Sequence, residues 1–195
     1  MQIICKHAAN FKLSKIYRLR WSRCSATHVK RGCKLAKHDS AAEKEYRFWI
    51  CEIMKKIYES ESEQDTFELG LTMGRQAAAG TIISLDGDLG VGKTVFSAGF
   101  AKGLGIDEPI CSPTFTILQI YEEGRLPLYH FDVYRIEDPD EMFEVGFEDY
   151  LFGDGVCLIE WGKQVEELLP ENTTYITVEK DLEKGFDYRK ITVTG

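Results

Sequence analysis

One stretch of eight residues limits what this chain can fold into more than any other. Gly87-Asp88-Leu89-Gly90-Val91-Gly92-Lys93-Thr94 fits G-x-x-x-x-G-K-[ST] in full. It lies between a hydrophobic run, Thr81-Ile-Ile-Ser-Leu85, and a segment of helical composition that stops at Gly105. A strand, a glycine-rich turn and a helix in that order make a phosphate cradle. Glycines at 87, 90 and 92 let the backbone approach closely, so that successive N–H groups point into an anion. The helix adds the partial positive charge of its N-terminus. Lys93 supplies a point charge for the β- and γ-phosphates, and the Thr94 hydroxyl is a candidate ligand for Mg²⁺. The sequence therefore predicts a nucleoside triphosphate bound along Gly87 to Thr94. Guanine-specific domains of this kind carry Asn-Lys-x-Asp, whereas Asn10 and Asn172 are the only asparagines and neither precedes a lysine. ATP is favoured by elimination.

Around the loop the chain reads as an α/β domain. Thr66 is a candidate N-cap for a helix through Leu69, Met73 and Ala77, with Gly80 as its terminator. Residues 116–121 and 126–134 read as a hairpin, 138–150 as acidic helical material, and Val156-Cys-Leu-Ile159 as a short strand covered on both faces. A helix over 162–169 and strands near 174–178 and 189–193 complete the pattern. The expected fold is a three-layer, P-loop NTPase-like α/β domain with a mixed, mainly parallel central sheet and a β-hairpin insertion.

A phosphate-bound metal needs a further acid, generally at the end of a neighbouring strand. Glu160 ends the apolar run 156–159 and joins Thr94 as a candidate metal-binding residue. Asp132 lies in His130-Phe-Asp-Val-Tyr-Arg135, where alternation puts His130, Asp132 and Tyr134 on one face. On spacing alone that face is as much the wet side of a strand as a catalytic surface. The same alternation turns Arg135 away, so no arginine finger stands out and hydrolysis by the chain alone is expected to be slow.

Charge divides the chain in two. The net charge of −8 averages residues 1–53, with 12 Lys and Arg against 4 Asp and Glu (+8), and residues 54–195, with 12 against 28 (−16). With 44% hydrophobic and 29% charged residues the whole is neither a disordered acidic chain nor a membrane protein, and no apolar run nears the ~20 residues of a membrane span. The gaps between Cys24, His28, Cys33 and His38 do not match paired zinc-ligand spacing. Basic residues with Tyr17 and Trp21 suit an RNA-binding arm, and the arginines with no acid before Asp39 suit a targeting peptide. The favoured reading is a basic extension, poorly ordered or partly helical, outside a single domain at 54–195. Residues 41–58 have helical composition. The −16 of the domain argues against broad direct binding of nucleic acid.

Gly87–Thr94, Ser112-Pro-Thr-Phe115, His130-Phe-Asp-Val-Tyr-Arg135 and Leu158-Ile-Glu-Trp161, in that order and spacing, resemble the TsaE (formerly YjeE) family over about residues 60–195. The resemblance implies a cytoplasmic, Mg²⁺-dependent ATPase required for threonylcarbamoyladenosine modification of tRNAs that read codons beginning with A. Such a subunit couples ATP hydrolysis to a TsaB–TsaD complex, in which TsaD performs the transfer, and meets tRNA only through that complex. It further implies that Thr94 and Glu160 hold Mg²⁺ and that Lys93, Asp132, Glu160 and Thr114 serve ATP turnover. Ser112 to Phe115 would form a switch-like loop near the γ-phosphate, and Glu63 to Thr66 would lie near the adenine or ribose. Two rivals differ in class. A small-molecule kinase would need a lid bearing several arginines, whereas residues 95–195 hold only Arg125, Arg135 and Arg189. A nucleotide-sensing module without chemistry would keep its function in Glu160→Ala and Asp132→Asn.

Overall fold

The apolar run before the glycine-rich turn is β2 (Ile82–Asp86), buried at all five positions and central in a seven-stranded sheet. The computed structural model describes residues 55–195. The expected extension at 1–53 and its candidate zinc ligands lie outside the described residues. The other strands are β1 (Lys56–Ser60), β3 (Leu118–Tyr121), β4 (Leu128–Asp132), β5 (Val156–Glu160), β6 (Thr174–Lys180) and β7 (Arg189–Thr194), ordered β1-β7-β6-β2-β5-β4-β3. The centre is parallel, with β2 paired to β5 and β6 and β4 to β5, while β3–β4, β6–β7 and β1–β7 are antiparallel. The expected hairpin is therefore β3–β4. It is part of the sheet rather than an insertion, because β4 also pairs in parallel with β5.

Two layers of helix cover the sheet. On one face lie α1 (Glu63–Gln76) and α2 (Lys93–Leu104), burying Phe96, Phe100 and Leu104 against Ile83, Leu85, Leu158 and Ile176. On the other, α3 (Glu141–Glu144), α4 (Phe147–Leu151) and the 3₁₀ helix Gly162–Leu168 bury Met142, Phe147, Leu151 and Val165 against Ile82, Phe131 and Ile159. The acidic segment 138–150 thus forms two short helices, separated where Gly146 adopts φ +67°.

α1 and α2 meet backbone to backbone. A Cβ added to Gly74 would stand 2.1 Å from Phe100 O, one on Gly99 2.1 Å from Phe67 O, and one on Gly103 2.4 Å from Leu71 O. Glycine is the only residue that fits such a seam, which presses α2 and the loop before it against a rigid neighbour.

Two expectations are corrected. Ser62, not Thr66, caps α1: its hydroxyl accepts from Asp65 N at 3.2 Å, while Thr66 is buried inside the first turn with its hydroxyl 2.8 Å from Ser60 Oγ. Residues 56–58, the end of the stretch of helical composition at 41–58, belong instead to the edge strand β1, whose partner β7 lies far along the chain.

Candidate functional site

The glycine-rich loop runs from the carboxyl end of β2 to the first turn of α2. Gly87 takes φ +143° and passes so close to β6 that a Cβ would meet Val178 O at 2.3 Å, and Gly92 at φ +105° is the N-cap of α2. Both positions therefore require glycine. Asp88, Leu89 and Gly90 are exposed, Val91 is buried, and Arg189 of β7 donates from Nε to Val91 O at 2.7 Å.

Lys93 is buried at 6% exposure, with Nζ donating to Gly87 O at 2.8 Å and Asp88 O at 3.0 Å. Its Nζ also lies 3.9 Å from the centre of the Trp161 ring. Burial pushes its ammonium below the ordinary lysine range, against the pull of Glu160, Asp132, Asp86 and Asp88 in that order. The expected site residues Lys93, Glu160 and Asp132 are thus brought into one electrostatic cluster. Thr94 stands exposed on the first turn of α2 and shares no hydrogen bond with that cluster.

Parallel pairing sets Asp132 beside Glu160 at the ends of β4 and β5, with Leu85 next in register. Glu160 is 2% exposed, and its Oε1 lies 2.9 Å from Ser97 Oγ and 3.0 Å from His130 Nε2. Asp132 is 3% exposed and organises the expected switch-like loop: Oδ2 accepts from Thr114 Oγ1 at 2.7 Å and from Ser112 Oγ, and Oδ1 accepts from Tyr134 N at 3.1 Å. Buried carboxylates that accept several donors are positioned groups rather than the wet side of a strand. Arg135 does leave the Asp132 face, and its guanidinium stacks over the ring of Phe115, 4.4 Å from the centre.

Sequence reasoning passed over Asp86, the last residue of β2. It is 4% exposed and accepts from Ser84 Oγ at 2.7 Å and from Lys163 N at 3.1 Å, tying the turn after Glu160 to the strand before the loop. A polar residue at the end of a buried strand was the available signal. That turn is sharp, with Trp161 at φ +64°. It sends Glu160 toward α2 and lays the indole over Lys93 and against Tyr134, with ring centres 5.1 Å apart.

An oxygen set of one hydroxyl and one or two carboxylates fits Mg²⁺, which binds through few protein ligands plus phosphates and water. Among the described residues no group of three or more His, Cys, Asp and Glu could hold a metal ion by itself. No helix of those residues is long and apolar enough to cross a membrane.

Comparison with known proteins places these features. The family model described as threonylcarbamoyl adenosine biosynthesis protein TsaE matches residues 60–191. The tRNA threonylcarbamoyladenosine biosynthesis protein TsaE of Bacillus subtilis is 49% identical over 119 residues, 61% of this chain and 72% of that protein. Its counterpart in Treponema pallidum is 48% identical over 119 residues, covering 61% and 87%. In the crystal structure of Bacillus subtilis YdiB the likeness has a TM-score of 0.63 at 38% identity, over 72% of this chain and 85% of that one.

Proposed function

The chain belongs to the TsaE family, and from that premise we propose that it is a Mg²⁺-dependent ATPase serving threonylcarbamoyladenosine modification of tRNA through a TsaB–TsaD pair. The observation that carries the reading is the convergence of Lys93, Glu160 and Asp132 on a loop whose Gly87 and Gly92 tolerate no side chain.

Thr94 and Glu160 would hold the cation, which supplies charge neutralisation on the phosphates when bound. The loop amides and the N-terminus of α2 take the phosphate oxygens, and Lys93 supplies the adjacent positive charge. Asp132 sets the Thr114 hydroxyl, giving the γ-phosphate end a polar group able to orient water. The metal-side acids lie on the β4–β5 flank, so the nucleoside leaves toward β6, β7 and β1. There an open cleft of about 560 Å³ is lined by Glu59, Glu61 and Lys184 to Tyr188, with the Phe186 ring 76% exposed. A base in that cleft would meet Glu59 and Glu61, which precede the expected Glu63 to Thr66 in the chain.

The arginines support slow hydrolysis over a kinase lid. Arg125 binds Gly74 O and Ala77 O, Arg189 binds Val91 O and Phe186 O, and Arg135 is stacked on Phe115. A partner protein would complete the charge stabilisation.

The test is copurification with TsaB and TsaD under ATP, followed by threonylcarbamoyladenosine formation on tRNA. The full chain is expected to support modification, and folded Glu160→Ala and Asp132→Asn are expected to abolish it. Failure to associate in any nucleotide state would sink the proposal, and activity in both variants would leave a sensing module.

A further inference from the structure

His130 is a fully buried ionisable side chain at the site to which phosphate chemistry gives no task. It is fully enclosed, at 0% exposure, in a face otherwise built of Leu128, Val156 and Leu158. Its Nδ1 is the one buried side-chain nitrogen or oxygen among the described residues without a hydrogen-bond partner. A buried unpaired polar atom costs on the order of 1–3 kcal/mol, so this ring is a poor choice for packing alone. What it has in return is Nε2 at 3.0 Å from Glu160 Oε1.

A carboxylate oxygen only accepts, so the hydrogen of that contact sits on Nε2. The other group near Oε1 is the Ser97 hydroxyl, which has a single hydrogen and two acceptors in reach, Glu160 Oε1 at 2.9 Å and Lys93 O at 3.0 Å. Whenever Ser97 serves the Lys93 carbonyl within α2, His130 is the only donor left on Oε1. The histidine is the dedicated anchor and the serine a shared one.

Resting on the metal-binding reading of Glu160 above, we propose that His130 is a positioning residue: its Nε2–H fixes the Glu160 carboxyl group by Oε1 and reserves the second oxygen for nucleotide-bound Mg²⁺. Groups that orient a metal-binding carboxylate in this way typically contribute about 10–100-fold in metal affinity or activity.

The experiment titrates Mg²⁺ into the full chain with a fluorescent ADP analogue and compares each affinity with that in EDTA. His130→Leu is expected to need about 10–100-fold more Mg²⁺ for half-maximal tightening, with its affinity in EDTA unchanged. His130→Gln, whose amide N–H can take the place of Nε2–H, is expected to restore the wild-type midpoint. Should His130→Leu fail to fold, Ser97→Ala carries the test, since loss of the shared donor is expected to shift the midpoint by less than about 10-fold. A wild-type midpoint in His130→Leu, a glutamine that fails alongside leucine, or a larger shift in Ser97→Ala would each overturn the assignment. Binding by the wild-type chain that ignores Mg²⁺ altogether would overturn the metal reading of Glu160 and this inference with it.

Discussion

The glycine seam between α1 and α2 and the rim around Asp132 both border the glycine-rich loop, and they hold their parts in opposite ways. In the seam, backbone touches backbone: a Cβ on Gly103 would stand 2.4 Å from Leu71 O and 2.8 Å from Arg75 N. No rotamer change can make room there. In the rim, the contacts are side-chain hydrogen bonds and a stacked ion. Ser112 and Thr114 hang on one Asp132 oxygen, and Arg135 covers a Phe115 ring that is 84% exposed. The rim also carries strain, because Ile117, a β-branched residue, leaves the loop at φ +64°. Such contacts exchange partners at little cost. The cradle is built to stay fixed, and the Ser112 to Phe115 segment is held by contacts that can change.

The largest expected effect breaks the seam. Gly103→Leu should lower stability by about 3 kcal/mol or more, on the order of 10 °C in Tm, or leave the protein insoluble. Thermal unfolding followed by circular dichroism measures it, and a wild-type Tm would show that the helices are not locked. Next, Thr114→Ala should leave Tm nearly unchanged while cutting partner-stimulated phosphate release about 10-fold or more, and Thr114→Ser should recover most of it. Equal loss in the serine variant would mean that the methyl group matters rather than the hydroxyl on Asp132. The smallest effect belongs to Phe115→Ala, which removes an exposed ring and one cation–π contact. Its stability cost should stay within about 1 kcal/mol by chemical denaturation, and a larger loss would place Phe115 in the rigid half of the molecule.

The same contrast explains what could be read from the sequence. The loop, β2, α2 with its stop at Gly105, the β3–β4 hairpin and the acid at the end of β5 are all written locally, in glycine placement, apolar runs and turn residues. What escaped depends on distant pairing. β1 exposes four of its five residues and owes its form to β7, so the helical composition read over 41–58 ran on into its first three residues. The cap of α1 fell on Ser62 because Thr66 is drawn inward to Ser60. Asp132 beside Glu160, and His130 on Glu160, follow from β4 lying next to β5, which no local pattern encodes. The seam had a local trace in Gly70, Gly74, Gly99 and Gly103, spaced four apart on each helix, but spacing does not say which helix meets which.

The division between a fixed cradle and an adjustable rim is tested most directly by Asp132→Asn, with MgATP affinity and phosphate release measured on the same folded sample in the presence of TsaB and TsaD. Affinity should stay within about 3-fold of wild type while release falls by about 100-fold or more. Affinity and release falling together by the same factor would contradict it, because the rim would then be part of the cradle.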